Sequence, residues 1–517
     1  PPAILPDDLP DVVASERPPL DREHFMHLVG ADGQGRVKVG SAADSAGWRW
    51  EHIEWMVEAG GAEILYTLCD RLWRGLMQDD DDADWSWVFN AKLVLFIKKI
   101  NERTLRHEYG EGDLRAIAPG SILLRLISGV GAKHTRKHFG RLFDPGCADG
   151  TDNAECAPVM NAGAAMLGAA EQVQHSAMEV LASRPDHYIL QTDGKMAFQL
   201  VNRQTFLEFQ HRHRLPTYTW SKRCYGKRTV VYLRMKDGSI RAYFRDGGTA
   251  QGDPLSPGNQ CMGLQEALQV AQTEFPDKLG SRQLWYMDDG SVGGALEDLE
   301  VFITIIGSDD FKERTGYYIN FDKSSIWGRD LIQWDEGEIE WMDTVAAVEA
   351  AERDNVVAAE ARRRLQAALP PSALVIRGVR DPTTFHDDPS KVADEIRANR
   401  GVTLLGAPIC GTADYAERHI MGIVRKADEY VDRLRHLLLP DHYEEYMAMI
   451  RTTLPGRFAH VCRAVVPSRV FGPAKAFDVV QLRAYAAGVG SLGSEDLPTR
   501  EVIFSQEAAG GYKYKYK

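Results

Sequence analysis

The spacing of apolar residues changes rhythm several times along the chain. In "WRWEHIEWMVEAGGAEILYTLCDRLWRGLM", which starts at Trp48, they recur every three to four positions and predict two helices parted at Gly60-Gly61. "WVFNAKLVLFIKK", ending on Lys98 and Lys99, reads as a strand, and residues 114–130 as a strand, a Pro-Gly turn and a helix. Residues 160–183 are Ala-rich and read as helical. "HYILQTDG" is a buried-type strand that stops at Asp193, and "AFQLVNRQTFLEFQHRH" then takes up helical periodicity. Alternating residues on either side of Asp237-Gly238 predict a β-hairpin. A loop, "GTAQGDPLSPG", leads into the helical "NQCMGLQEALQVAQTEF". A second hairpin, "QLWYMDDGSVGG", precedes the helical "LEDLEVFITIIGSDDFKERTG" and the strand "YYINFDKSSIWG". Residues 331–400 read as an insertion, with an Ala/Glu/Arg-rich helical piece and a Pro-containing connection. "GVTLLGAPIC" predicts a short strand or bend, and three amphipathic helical segments run to about residue 490.

Length and composition narrow the class. At 517 residues the chain is too long for one core, so roughly two to four subdomains are expected. Hydrophobic residues make up 44% and charged residues 26%, the balance of a globular protein rather than a disordered one. No apolar run approaches the ~20 residues that cross a bilayer, so no membrane partner is expected. Seven scattered cysteines without a CxxC pair argue against a disulfide framework or a zinc knuckle and fit a reducing, intracellular setting, whether nuclear, cytoplasmic or organellar. The chain opens on Pro1 rather than Met, so a processed or trimmed start is expected and no targeting segment is legible. The start "PPAILPDDLPDVV" reads as an extended arm and the end "GYKYKYK" as a solvated tail.

The net charge of −13 argues against a simple nucleic-acid binder, but the charge is uneven. Residues 92–141 hold eleven Lys/Arg against four acids, and residues 212–245 hold ten against one. These stretches are either solvated faces or the walls of a basic groove on an acidic body.

The "MDDG" of the second hairpin poses the chemical question. Asp-Asp-Gly is ordinary turn chemistry, because Asp and Gly accept a left-handed backbone. Alternatively Asp288 and Asp289 hold a divalent cation, since adjacent carboxylates repel unless one is present. Asp193 ends another strand and is either a helix cap or a third acid meeting the other two at one sheet edge. Mg²⁺ prefers such oxygen donors together with substrate phosphates, and two ions ~3.5–4 Å apart suit phosphoryl transfer.

The ordered series "QTDGKMAF", "GTAQGDPLSP", "YMDDG", "GYYINFDKS" and "LLGAPI" resembles the motifs of reverse transcriptases, closely those of non-LTR (LINE-like) retroelements. The likeness extends over about residues 45–490. It implies an α+β right-hand polymerase with an antiparallel palm sheet, mixed fingers and a helical thumb. After an N-terminal arm (1–44), the fingers would span 45–185 and the palm 186–330, with a finger excursion at about 205–250. The acidic insertion (331–400), the primer grip and thumb (401–490) and the tail (491–517) would follow. The reaction implied is RNA-templated extension of a DNA or RNA primer with dNTPs, on two Mg²⁺ ions, with Mn²⁺ as the alternative metal.

The resemblance assigns roles residue by residue. Asp193, Asp288 and Asp289 would be the metal-binding and catalytic acids, and Lys323 a proton donor to pyrophosphate or else a solvated strand-end lysine. Lys98, Lys99 and Arg115 would hold the triphosphate. Which of the two lysines faces inward stays open, because neighbours on a strand point opposite ways. Phe198 would be a steric gate against a ribose 2′-hydroxyl, or simply a core aromatic. Gln251 and Gly252 would support the templating base and the incoming nucleotide. Tyr286, Met287, Leu405 and Gly406 would line the primer and template. Met196, Ala116 and Gly258-Asn259 depart from the pattern without removing an acid. No endonuclease, RNase H or zinc-knuckle signature lies within the chain. That motivates an alternative expectation: a domesticated, non-catalytic protein of the same fold, binding RNA or protein inside a ribonucleoprotein such as an organellar ribosome.

Overall fold

The computed structural model describes residues 6, 8–32, 43–77, 85–97, 114–143, 159–161, 169–183, 187–235, 237–277, 281–320, 324–328, 375–376, 401–411, 413–439, 442–465 and 467–489. Lys98, Lys99, Lys323, the tail and all of the 331–400 insertion except Val375–Ile376 lie outside them. The chain forms two compact units. The first comprises Pro1–Ala169, Leu190–Ser325 and Arg364–Val375, the second Ala170–Ile189, Ile326–Arg363 and Ile376–Lys517.

The first unit carries strands β1 (Ala91–Lys92), β2 (Val94–Ile97), β3 (Leu114–Ile117), β4 (Val159–Asn161), the last three residues of β5 (Tyr188–Thr192), β6 (Thr229–Arg234), β7 (Ile240–Arg245), β8 (Arg282–Tyr286) and β9 (Asp289–Gly294). β2 and β3 pair antiparallel, with Phe96 opposite Arg115. β6 and β7 form the hairpin expected around Asp237-Gly238, where Gly238 takes φ +84°, and β1 joins β6 in parallel. β5, β9, β8 and β4 stand side by side in that order. β8 and β9 are antiparallel, but β4 runs parallel to β8. An antiparallel sheet was expected here, and the parallel β4–β8 pair makes it a mixed one. β4 comes from the front of a stretch expected to be helical, and the helix there begins only at Ala169–Ser183. Three residues, Val-Met-Asn, are too few for periodicity to tell strand from helix.

Other local differences have visible causes. The "WVF" expected to open a strand is a 3₁₀ helix, Trp85–Phe89, held by Ser121 Oγ donating to the Val88 carbonyl at 2.7 Å. The helical run after Asp193 breaks into Ala197–Leu200 and Arg203–Arg212, because Asn202 accepts from the Gln204 amide at 2.9 Å and caps the second helix.

One core binds the N-terminal segment, the helices Trp50–Glu58 and Ala62–Trp73, the helix Ile122–Phe143 and the helices Arg203–Arg212 and Tyr218–Tyr225. Phe89 and Trp73 meet Trp220 with ring centroids 5.5 and 6.4 Å apart. The N-terminal arm is built into this unit. Leu20, Phe25 and Val29 are buried, Trp73 Nε1 donates to the Pro18 carbonyl at 3.1 Å, and Tyr218 donates to the Pro10 carbonyl at 2.6 Å. The second basic stretch, residues 212–245, is partly spent inside the unit. Arg212 pairs with Glu266, Lys222 with Asp11 at 2.7 Å and Arg228 with Asp246 at 3.4 Å, while Arg223 and Arg245 stack over Phe89 and Tyr225. Arg214, Lys227, Arg234 and Arg241 stay exposed.

The second unit joins the hairpin Gly401–Leu404/Ala407–Gly411 to the helices Ala413–Leu438, Tyr443–Thr453, Gly456–Ala464 and Pro467–Val489. Four helices stand where three were expected, the extra break falling at Leu454-Pro455. Phe458 and Phe477 stack at 4.6 Å in its core, and Tyr446 donates to the Ala484 carbonyl at 2.9 Å. Most of the helix Ala169–Ser183, expected among the fingers, belongs here, and Gln174 Nε2 donates to the Leu404 carbonyl at 2.7 Å. Among the described residues no helix is long and apolar enough to cross a membrane.

Candidate active site

Asp193 follows the end of β5, and Asp288 lies in the two-residue connection between Tyr286 and Asp289, which pair across β8 and β9. Because β5 and β9 are neighbours, both acids lie at one end of the same sheet. Thr192 Oγ1 donates to the Gly290 carbonyl at 3.4 Å. A Cβ on Gly290 would stand 2.5 Å from that hydroxyl and 2.7 Å from the Trp285 ring, so only glycine lets the strands come this close.

Tyr317 sits beneath the acids. It is fully buried, and its hydroxyl reaches Thr192 Oγ1 and the Asp288 carbonyl, each at 3.3 Å. Burial pushes its phenol far above the ordinary value, and the charges of Asp288, Asp193 and Asp289, in that order, push the same way. All three carboxylates therefore lie within electrostatic reach of one buried ring. Asn320 fixes Asp193 from the other side. Its amide side chain donates to Asp193 Oδ2 at 3.1 Å, and its backbone N–H donates to the Asp193 carbonyl at 2.7 Å. A Cβ on Gly194 would stand 2.6 Å from the Tyr317 ring.

The turn itself differs from the expected Asp-Asp-Gly geometry. The left-handed residue is Met287, with φ +60°, while Asp289 and Gly290 already belong to β9. Five non-glycine residues with positive φ occur among the described residues. Three of them, Met196, Met287 and Leu405, lie within or beside the motif positions. Such backbone costs of order 1–3 kcal/mol and gathers at functional sites.

A second group forms around Phe198. Its carbonyl accepts from the Thr249 amide at 2.6 Å, and its ring is half-buried. Gln199 Nε2 donates to Gln251 Oε1 at 3.4 Å, and the Gln251 carbonyl accepts from the Ala118 amide at 3.2 Å. Gly252, at φ +118°, lies against Pro119, 3.4 Å from where its Cβ would be. Phe198, Gln251 and Gly252 are thus brought to the end of β3, the strand that carries the exposed Arg115. Tyr286 and Met287 flank Asp288, and Met287 packs against the large core of this unit. Leu405 and Gly406 form the tip of the hairpin in the second unit, where His419 and His460 each contact the Gly406 carbonyl at 3.3 Å.

Sequence reading missed the supports. Tyr317 and Asn320 lay in a quoted motif without a role. Arg203 shares a helical face with Phe206, Leu207 and Gln210, all buried, and a charged residue at that spacing was the available signal. It is itself 1% exposed and donates to the carbonyls of Gly248, Gly247, Lys227 and Arg245. Burial and the neighbouring Arg245 pull its pKa down to about 10.

Beneath the Gln251 loop, buried Asp253 accepts from the Tyr225 hydroxyl and, at 3.1 Å, from the Leu255 amide. Burial raises its pKa against the lowering by these bonds. A carboxyl that holds its proton more tightly when folded stabilises the fold below about pH 4, and that contribution is lost as pH rises through the raised value. Asp253→Asn is expected to remove this loss, so its thermal midpoint should gain on the parent as pH rises above about 4; a constant difference would deny Asp253 the effect.

No family model and no curated protein sequence matches the chain. Three solved structures of telomerase are similar at low level. Apo telomerase from Candida tropicalis aligns at TM-score 0.36 and 10% identity over 90% of this chain and 79% of its own. Telomerase from Candida albicans, in complex with a TWJ fragment of telomeric RNA, gives 0.34 and 10% over 78% and 61%. The C. tropicalis form truncated from the C-terminal domain gives 0.32 and 12% over 54% and 62%. The chain spans about three fifths of the latter two. Likeness at this level decides nothing about this chain.

Proposed function

We propose that the protein is an RNA-directed DNA polymerase that extends a primer 3′-hydroxyl with dNTPs. The observation that carries this reading is the meeting of two acid-bearing strand ends over one buried tyrosine, with Met196 and Met287 strained beside them. The donor set suits Mg²⁺. Asp193 and Asp288 offer hard oxygens, and among the described residues no group of three or more His, Cys, Asp or Glu closes on a point. Mg²⁺ is commonly held by one or two carboxylates, with water and substrate phosphates completing its shell. When bound there it would lower the pKa of the 3′-hydroxyl and offset charge on the leaving pyrophosphate.

The chain's own part is positioning. Asn320 holds the Asp193 carboxylate, and Tyr317 ties the Asp288 carbonyl to β5 through Thr192. The Gln251–Gly252 segment and Phe198 form a floor for the nucleotide. In the reaction the 3′-oxygen bonds to the α-phosphorus, the bond from that phosphorus to the α–β bridging oxygen breaks, and pyrophosphate leaves.

The test is primer extension on an RNA template by the full chain, with and without Mg²⁺ and with Asp193→Ala as control. Metal-dependent dNTP incorporation that the substitution abolishes supports the reading. No incorporation, with stoichiometric recovery in a large ribonucleoprotein, would favour the non-catalytic alternative. Phe198→Ala is expected to raise NTP use relative to dNTP about tenfold or more, read from paired incorporation assays, since removing a bulky gate readmits the 2′-hydroxyl. An unchanged ratio would make Phe198 a packing residue.

A further inference from the structure

A second cavity, of about 510 Å³, opens in the first unit between the N-terminal segment, the Trp85–Phe89 turn and the helix Tyr218–Tyr225. It shares no residue with the acid site. Among the described residues four cations line it, Arg17, Lys222, Arg223 and Lys227, against one acid, Asp11. Asp11 is taken by Lys222 at 2.7 Å. Arg17 is held by neutral carbonyls, Val12 at 2.8 Å and Arg74 at 2.7 Å, which orient it without cancelling its charge.

The guanidinium groups of Arg17 and Arg223 converge. Their Nη1 atoms lie 3.1 and 3.2 Å from where a Cβ on Gly75 would stand, so a side chain there would sit between them. Arg223 Nη1 is enclosed and has no hydrogen-bond partner among the described residues. Two like charges brought together at a half-buried site call for an anion. The apolar part of the wall is aromatic. Phe89 and Tyr218 are buried, Phe89 with Arg223 at 5.6 Å and Lys227 at 5.7 Å over its ring, and the half-buried Trp85 is the lining aromatic that keeps open surface. Planar cations and aromatic rings together suit a phosphoryl group attached to a flat heterocycle, and the volume lies in the range of small-ligand pockets.

We propose that this cavity binds a nucleotide, with its phosphoryl group between Arg17, Arg223 and Lys227 and its base against the Trp85 ring. The site goes beyond the polymerase reading and stands whether or not Asp193 and Asp288 catalyse. The nucleotide is either free or one residue of a single strand.

The test uses the full chain carrying Asp288→Asn, in EDTA, so that metal-dependent binding at the acids does not contribute. Two probes are titrated: ADP, and a fluorescent ten-residue single-stranded oligonucleotide. Binding of either probe that weakens at least tenfold in Arg17→Gln and in Lys227→Gln supports the proposal. ADP binding identifies a free nucleotide, and oligonucleotide binding alone identifies a strand. Lys227 is exposed, so its variant keeps the test valid if Arg17→Gln fails to fold. Affinities that neither variant changes overturn it. So does a chain that binds neither probe until the aspartates at 79–82 and 84, which lie in sequence between Met77 and Trp85, are changed to asparagine, because the counter-charge would then be the chain's own.

Discussion

Asp288→Asn is expected to lower metal-dependent dNTP incorporation about 10³-fold while leaving the thermal midpoint unchanged, whereas Asp289→Asn should cost about tenfold. The contrast follows from position. Asp288 occupies the turn, its carbonyl tied to Tyr317 at 3.3 Å, and its charge acts on that ring more than either other acid. Asp289 is exposed at the start of β9 and acts least. Asparagine keeps size and shape and removes only the charge, so rate and stability separate. Single-turnover incorporation and a melting curve on the same preparations check both parts. Equal losses from the two substitutions would mean that the hairpin presents its acids alike.

Arg203→Met should be the most damaging change to stability, lowering the opening free energy around residues 247–249 by about 3–5 kcal/mol. Four carbonyls from two segments, Lys227 and Arg245 to Gly248, share this one side chain, and a thioether cannot satisfy them. Stacking over Tyr225, at 5.7 Å, is lost as well. Hydrogen exchange of the Gly248 and Thr249 amides reads the change directly. Because Thr249 is bonded to the Phe198 carbonyl, nucleotide selection should loosen with it. Protection that survives the substitution would show that the loop is held by Asp253 and Tyr225 instead.

Legibility in the sequence tracked the range of the interactions involved. The Gly60-Gly61 break between Trp50–Glu58 and Ala62–Trp73, and the hairpin at Asp237-Gly238, are set by neighbours in the chain, and both stand where periodicity put them. β4 was hidden, since its partner β8 lies more than a hundred residues away and its three residues hold no pattern. The acids could be found as strand ends, and their shared sheet edge was inferred only by supposing that the two strands are neighbours. Tyr317 and Asn320 could not, because a buried tyrosine and a polar residue outside regular structure look the same wherever they occur. The left-handed Met287 was equally invisible, as sequence preference would have placed that backbone on Asp289 or Gly290.

The embedding of the first residues has a consequence for birth on the ribosome. Pro10 waits for a partner 208 positions later, and Lys222 closes over Leu9 and Asp11 at a similar remove. Nascent chain emerging from the exit tunnel cannot complete this core until the segment around Tyr218 and Trp220 has been translated. During that interval Phe25, Leu72 and Trp73 lack their final cover, so chaperone demand should fall once Trp220 is out.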